Sequence, residues 1–319
     1  MPTNSVASGV AVAPTVGGAS VLAAALTEAL LTGPAAVVVE PPGDSHGFWA
    51  GGPSAVLADG VHYLAYRLRR PADQGRGYAN VLARSTDGVT FTVVATVLNA
   101  GFGAASLERP ALVQRPDGGW RLYVSCSTPG SKHWWVEALD ADTVAGLAAG
   151  ERTMVLAGDA RSAWKDVVVR RDGTSWRMWA CRHLLDDGDD NADRMQSWSF
   201  TSADGLTWDD GEPALLPTPD SWNRRGTRIT SVLPVSRDGW LALYDGRASA
   251  AENWYERTGI ALGAGPDRFT GAAGPLQRAG RTLRYVSAVE APGGYRLYFE
   301  IDRADGANQL VTTWVPFPR

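Results

Sequence analysis

No lysine or arginine precedes Arg67, so the first 35 residues, rich in Ala, Val and Ser, lack the basic start of a secretory signal. Within them the apolar stretch ASVLAAALTEALL (19–31) is broken by Glu28. A membrane span needs about 20 uninterrupted apolar residues. An amphipathic helix over 19–32 is therefore expected, with no membrane partner and a cytoplasmic location. There are only two cysteines, Cys126 in RLYVSC and Cys181 in RMWAC, and four histidines. Neither residue type is spaced as zinc ligands are, and two cysteines make no framework of bridges. Both read as small core residues. No phosphate-cradling glycine loop leads into a helix and no G-x-S-x-G elbow occurs, which removes nucleotide and serine-hydrolase chemistry. A net charge of −4 argues against nucleic acid, whose phosphates are held by clustered Lys and Arg.

What the chain does have is turns and rings: 36 Gly, 19 Pro and 13 Trp in 319 residues. That composition suits an all-β chain with aromatic surfaces, and flat rings stack well on the C–H faces of sugars. One phrase recurs, a glycine turn followed by a strand ending in Tyr, Trp or a near neighbour. It stands as ADGVHYLAY (58–66), PDGGWRLYV (116–124), RDGTSWRMWA (171–180), SRDGWLALYDG (236–246) and PGGYRLYFE (292–300). Each copy follows a short apolar strand: GPSAV, RPALVQ, KDVVVR, ITSVLPV and YVSAVE. Together they make hairpins whose Asp-Gly, Gly-Gly or Pro-Gly turns supply positive φ. Five hairpins at such spacing predict a five-bladed β-propeller.

A second signal, RSTDGVTF (84–91), TSADGLTW (201–208) and the degenerate ALGAGPDRF (261–269), supplies outer turns whose aromatic packs between blades. The last blade lacks it, and AAVVVE (35–40) is placed to cover its edge. The expected organisation is an N-terminal extension, 1–34, with the short helical segment, then one propeller, 35–319, closed by its N- and C-terminal strands.

Inner strands of a propeller line a central channel, so residues at their starts converge. Those starts carry His46 and Trp49 in blade one, Glu108 and Arg109 in two, and Lys165 and Asp166 in three. Arg225 and Arg228 follow in four, Arg284 and Tyr285 in five. Charge at the start of a buried strand is costly unless paired or used. Loops after the second strands reach the same face: YDGRASAAENWYERTG (244–259), RHLLDDGDDNADRM (182–195) and STPGSKHWW (127–135). The first brings Asp245, Arg247 and Glu252, the second His183. The DDGDD run invites a calcium reading but does not match the EF-hand loop, so no metal and no cofactor are expected.

The inner-strand motifs GGPSAV, ERPALV and KDVVV, the repeated hairpin phrases and the S-x-D-G-x-x-W/F turns resemble the five-bladed propeller glycosidases and glycoside phosphorylases, glycoside hydrolase families 43, 32 and 130. In those families the blade-one inner strand usually carries an Asp immediately before Pro, and this chain has Gly52 before Pro53. The resemblance implies a glycoside hydrolase-like enzyme acting on a small carbohydrate. Glu108 and Asp166 are the leading acid/base candidates, with Asp245 and Glu252 in reserve; inter-blade ion pairing is the alternative role for the first two. Arg109, Lys165, Arg228 and Arg247 would clamp the substrate, and His46, Trp49, His183 and Tyr285 would contact it. So many arginine forks favour an anionic substrate. Missing the blade-one carboxylate keeps two other readings open: a noncatalytic, sugar-binding, degenerate propeller, and a phosphate-dependent glycoside phosphorylase.

Overall fold

The computed structural model describes residues 16–185, 193–236, 239–278 and 281–318. Helix α1 (Val16–Thr32) and strand β1 (Ala36–Val39) come first. Blade I is β2 (Trp49–Ala58), β3 (Val61–Arg69), β4 (Gly77–Ser85) and β5 (Thr92–Leu98), paired in sequence order and antiparallel throughout. In blade II the inner strand is split into β6 (Ser106–Leu107) and β7 (Ala111–Gln114). Both halves pair with β8 (Trp120–Ser127), followed by β9 (Trp134–Ala141) and β10 (Glu151–Leu156).

Blade III runs β11 (Ser162–Asp172), β12 (Ser175–Leu184), β13 (Met195–Ser202), β14 (Glu212–Leu215). Blade IV runs β15 (Gly226–Ser236), β16 (Gly239–Arg247), β17 (Arg257–Gly263), β18 (Thr270–Gly271). Blade V takes β19 (Arg284–Ala291), β20 (Gly294–Asp302) and β21 (Asn308–Pro316) from the C-terminal end, and its fourth strand is β1, with Val37 opposite Val311. Pairing the two ends of the chain in one blade gives β21 the neighbour that sequence order alone would deny it.

The blades are glued by a repeated contact. Ser85 and Asp87 shape the blade I turn, where Asp87 accepts the Val89 and Thr90 amides, each at 2.8 Å. Its Gly88 carbonyl takes the Tyr298 hydroxyl of blade V at 2.9 Å, and Phe91 packs edge-on to that ring. Tyr123 of blade II treats Gly205 and Trp208 of blade III in the same way, and Trp179 of blade III donates to Pro266 of blade IV at 2.8 Å. The S-x-D-G-x-x-W/F signal is thus a blade-to-blade lock. Cys126 and Cys181 are free and buried, as core residues.

Leu22, Leu26 and Leu30 recur every fourth residue of α1 and bury one helix face against Leu233, Leu241 and Val286 of blades IV and V. Arg278 caps the helix by donating to the Leu30 and Gly33 carbonyls, both at 2.9 Å. Among the described residues no helix is long and apolar enough to cross a membrane.

Candidate functional site

The site begins as a backbone irregularity repeated around the channel. Pairing of the inner strand with its neighbour slips between Gly51 and Ser54 in blade I, Lys165 and Val168 in III, Ile229 and Ser231 in IV, and Arg284 and Ser287 in V. In blade II the strand breaks over the same stretch, between Leu107 and Ala111. Each slip is a β-bulge, which re-aims a side chain. Gly52, Asp166 and Tyr285 hold positive φ there, 58°, 53° and 52°.

Arg109 plugs the channel at this level. Its guanidinium donates to the Pro53, Val167 and Thr230 carbonyls of blades I, III and IV at 3.1, 2.8 and 2.9 Å. Asp166, fully buried, accepts the Arg109 amide at 3.1 Å and the Tyr285 hydroxyl at 3.2 Å.

Above the plug a chain of alternating charges circles the axis. Glu108 pairs with Arg67, which approaches Glu300 at 3.9 Å; Glu300 pairs with Arg284 at 2.9 Å, and Arg284 with Glu256. Glu256 meets Arg247 at 3.4 Å and Arg228 at 3.5 Å, and Arg228 reaches Asp245 at 2.9 Å and Asp166 at 3.5 Å. Blade I contributes no carboxylate, yet one stands over its glycines: Glu300 accepts the Gly52 amide at 2.7 Å, and a Cβ on Gly51 would collide with it. Gly51 is what admits that side chain, while Gly52 is held at a positive φ of 58°.

Electrostatics separates the acids. Burial would raise the Glu108 carboxyl, but the fields of Lys165, Arg67, Arg76 and Arg69 win and hold it well below the usual carboxylate range. Glu256 is likewise buried and held far down by Arg228, Arg284 and Arg247. Burial prevails at Asp245, which is raised despite Arg228. Tyr285, with the Arg228 guanidinium 4.0 Å from its ring centroid, is pushed well above the ordinary phenol value by burial.

This assembly floors a cavity of about 140 Å³. Eight cations line it: Arg67, Arg69 and Arg76 from blade I, Lys132 and Lys165 from II and III, and Arg228, Arg247 and Arg284 from IV and V. Among the described residues three carboxylates face them, Glu108, Asp193 and Glu256. One wall is the loop of the YDGRASAAENWYERTG stretch, which follows β16, reaches past blade V and touches blade I. Its Trp254 lies 6.0 Å from Trp49 and 6.1 Å from His46, and its Tyr255 stacks on His46 at 6.3 Å. Arg247 steadies the loop by donating to Asn253 Oδ1 at 2.7 Å.

Of the residues singled out from the sequence, Glu108, Lys165, His183, Arg228, Arg247 and Tyr285 line this cavity together. Asp166 and Asp245 lie beneath it as counter-ions, both fully buried. Arg109 is spent on main-chain carbonyls, and Trp49 is buried at the rim, where exposed His46 packs on it edge-on. Glu252 is not brought in: it turns back to the Ala248 amide at 2.6 Å and to Arg257 at 3.4 Å, and Glu256 takes the place at the cavity. The DDGDD run lies outside the described residues; among those described, no cluster of His, Cys, Asp and Glu could hold a metal ion. The starts of inner strands did not reveal Arg67, Arg69 or Glu300. These sit at the ends of second strands, in YRLRR and YFE, where the alternation that places Asp245 and Arg247 also operates.

Solved structures supply the comparison. A thermostable family-43 glycoside hydrolase superposes with a TM-score of 0.67 over 83% of this chain and 89% of its own, at 12% identity. The fold is that of the glycosidase propellers. A β-1,2-mannobiose phosphorylase from Listeria innocua follows the same trace with a TM-score of 0.60, 15% identity and coverage of 87% and 93%. An α-L-arabinofuranosidase from Lactobacillus brevis gives 0.61, 14%, 85% and 96%. No family model matches the chain, and no curated protein matches it in sequence.

Proposed function

We propose that this glycosidase-type propeller is a carbohydrate-active enzyme that acts on a small, anionic glycoside held in the cup. The observation that carries the reading is the lining: among the described residues, eight cations stand against three carboxylates in a cavity of a glycosidase-like scaffold. Such a surplus suits an anion, and a pocket walled by a loop suits a small molecule or a chain end better than the middle of a polymer.

Glu108 and Glu256 are the carboxylates placed to act, in the roles first assigned to Glu108 and Asp166. Glu256, pinned by three arginines, stays ionised and serves as base or as stabiliser of positive charge on the sugar ring. Glu108 is kept ionised by the field of Lys165, Arg67, Arg76 and Arg69. An anionic substrate that pairs with those cations weakens that field and raises the proton affinity of Glu108, so substrate binding itself prepares the acid. Asp166, Asp245 and Glu300 hold the arginines in place.

The test is Glu108→Gln and Glu256→Gln assayed on a panel of small uronate, sialate and neutral aryl glycosides, with binding followed in parallel. Turnover is expected to fall about 100-fold or more while binding of the ligand persists. Ligand binding without turnover in the wild type would make the protein a noncatalytic sugar-binding propeller, in keeping with the bare Gly52. The same surplus of cations favours a second reading, phosphorolysis, in which phosphate replaces water as the attacking group. It requires a rate that rises with inorganic phosphate.

A further inference from the structure

Among the described residues, Arg69 is the buried cation of the cavity that the fold leaves without a counter-ion. It is 5% exposed, at the end of β3, and its Nε and Nη2 find no hydrogen-bond partner. Its guanidinium rests in the corner between two indoles set at 69° to each other, 4.6 Å from the centroid of Trp49 and 4.5 Å from that of Trp254. Burial and the neighbouring Arg67 push its pKa down to about 10, against the pull of Glu108. The group thus stays charged at neutral pH in surroundings that disfavour charge. The other buried arginines lining the cavity all have carboxylate partners: Arg67 has Glu108, Arg228 has Asp245, and Arg247 and Arg284 share Glu256.

The Nε and Nη2 edge is the one this chain uses elsewhere to grip carboxylates side-on. Arg121 holds Asp140 by both nitrogens at 2.6 Å, Arg152 holds Glu137 at 2.8 and 3.0 Å, and Arg225 holds Asp193 at 2.9 and 2.8 Å. At Arg69 both nitrogens of that edge are enclosed and unpartnered, while the residue lines the cavity, so a ligand that takes this edge must shift a neighbouring side chain to reach it. Charge sets the valence of what fits. Arg76 and Lys132 also lack ion pairs among the described residues, but they reach solvent and water compensates them. One buried unpaired cation calls for one negative charge, and a planar fork matches a planar acceptor.

We propose that Arg69 is the specificity-determining residue of the site and that it receives a carboxylate borne by the sugar itself, as in a uronic acid. The inference rests on the carbohydrate reading above and names the charged group within it. Trp49 and Trp254 hold the guanidinium in place, so its geometry is set before the ligand arrives.

The test is calorimetric titration with the methyl glycosides of D-glucuronate and D-galacturonate, their neutral parents methyl glucoside and methyl galactoside, and inorganic phosphate. Wild type, Arg69→Met and Arg69→Lys are compared, with the Tm of each unliganded protein. Wild type is expected to bind a uronate about tenfold or more tighter than its neutral parent. Arg69→Met abolishes that preference, keeps the neutral affinity and melts no lower than wild type, because a buried unpaired charge has been removed. Arg69→Lys keeps only part of the preference. A preference that survives Arg69→Met overturns the proposal, as does a lowered Tm with the preference intact, which is the mark of a packing role. Phosphate bound as tightly as uronate overturns the carboxylate. Neutral sugars bound without preference overturn Arg69 and leave the carbohydrate reading standing; no binding by any of the sugars overturns both.

Discussion

Glu252 and Glu256 stand four residues apart on one loop, and the fold treats them oppositely. Glu252 satisfies an amide of its own loop and an arginine that is partly exposed, so Glu252→Gln is expected to cost about 1 kcal/mol or less. Glu256 is the counter-charge of Arg228, Arg247 and Arg284. Removing it strands buried cations, and Glu256→Gln is expected to lose about 3 kcal/mol in urea unfolding. Arg109 gives the complementary case. Arg109→Met cuts three bonds to three blades and is expected to cost about 3 kcal/mol, while ligand preference in the cup stays as in wild type.

Hairpins and outer turns were legible because each is local: a glycine for positive φ, alternation for the strand, an Asp that folds back on the next amides. The closing strand was legible for a topological reason, since a blade with three strands needs a fourth. The bulges were not, because a slip of one residue depends on the partner strand and leaves no mark in composition. They decide which side chain enters the channel, so Asp166 read as an active-site carboxylate while its side chain is turned under the floor. Arg67, Arg69 and Glu300 looked like ordinary charged ends of strands. Their meaning comes from neighbours in other blades, as with the Glu300 carboxylate over Gly51 and Gly52. At this scale α1 is testable. Its leucine stripe is buried between two blades, so Leu26→Ala is expected to cost about 3 kcal/mol and to leave the cup, built from other elements, unaltered in ligand binding.

The molecule carries its buried charge as a girdle of linked ion pairs, and its stability should follow the girdle's protonation. Glu108 and Glu256 lose their protons more readily folded than unfolded. They therefore support the fold above the ordinary carboxylate value of 4.5, and that support is withdrawn as acid protonates them. Asp245, raised by burial, acts in the opposite sense and favours the fold on the acid side. Two girdle groups stand against one, and Asp87, Asp140, Asp193, Asp204 and Asp305, also held below the ordinary range, add to them, so Tm is expected to fall steadily as pH is lowered from about 5 toward about 2 in a calorimetric series. A flat profile would mean that the girdle is formed from groups already neutral. The cup also has a consequence for chemical labelling. Lys132 and Lys165 are the only lysines in the chain, and both line the cavity. Every lysine side-chain amine of the sequence is therefore at this cavity, and under the proposed function acylation by an amine-selective reagent, read by mass spectrometry, is expected to slow when a ligand enters. For a ligand bound as proposed, these two amines are an occupancy probe that needs no engineered tag.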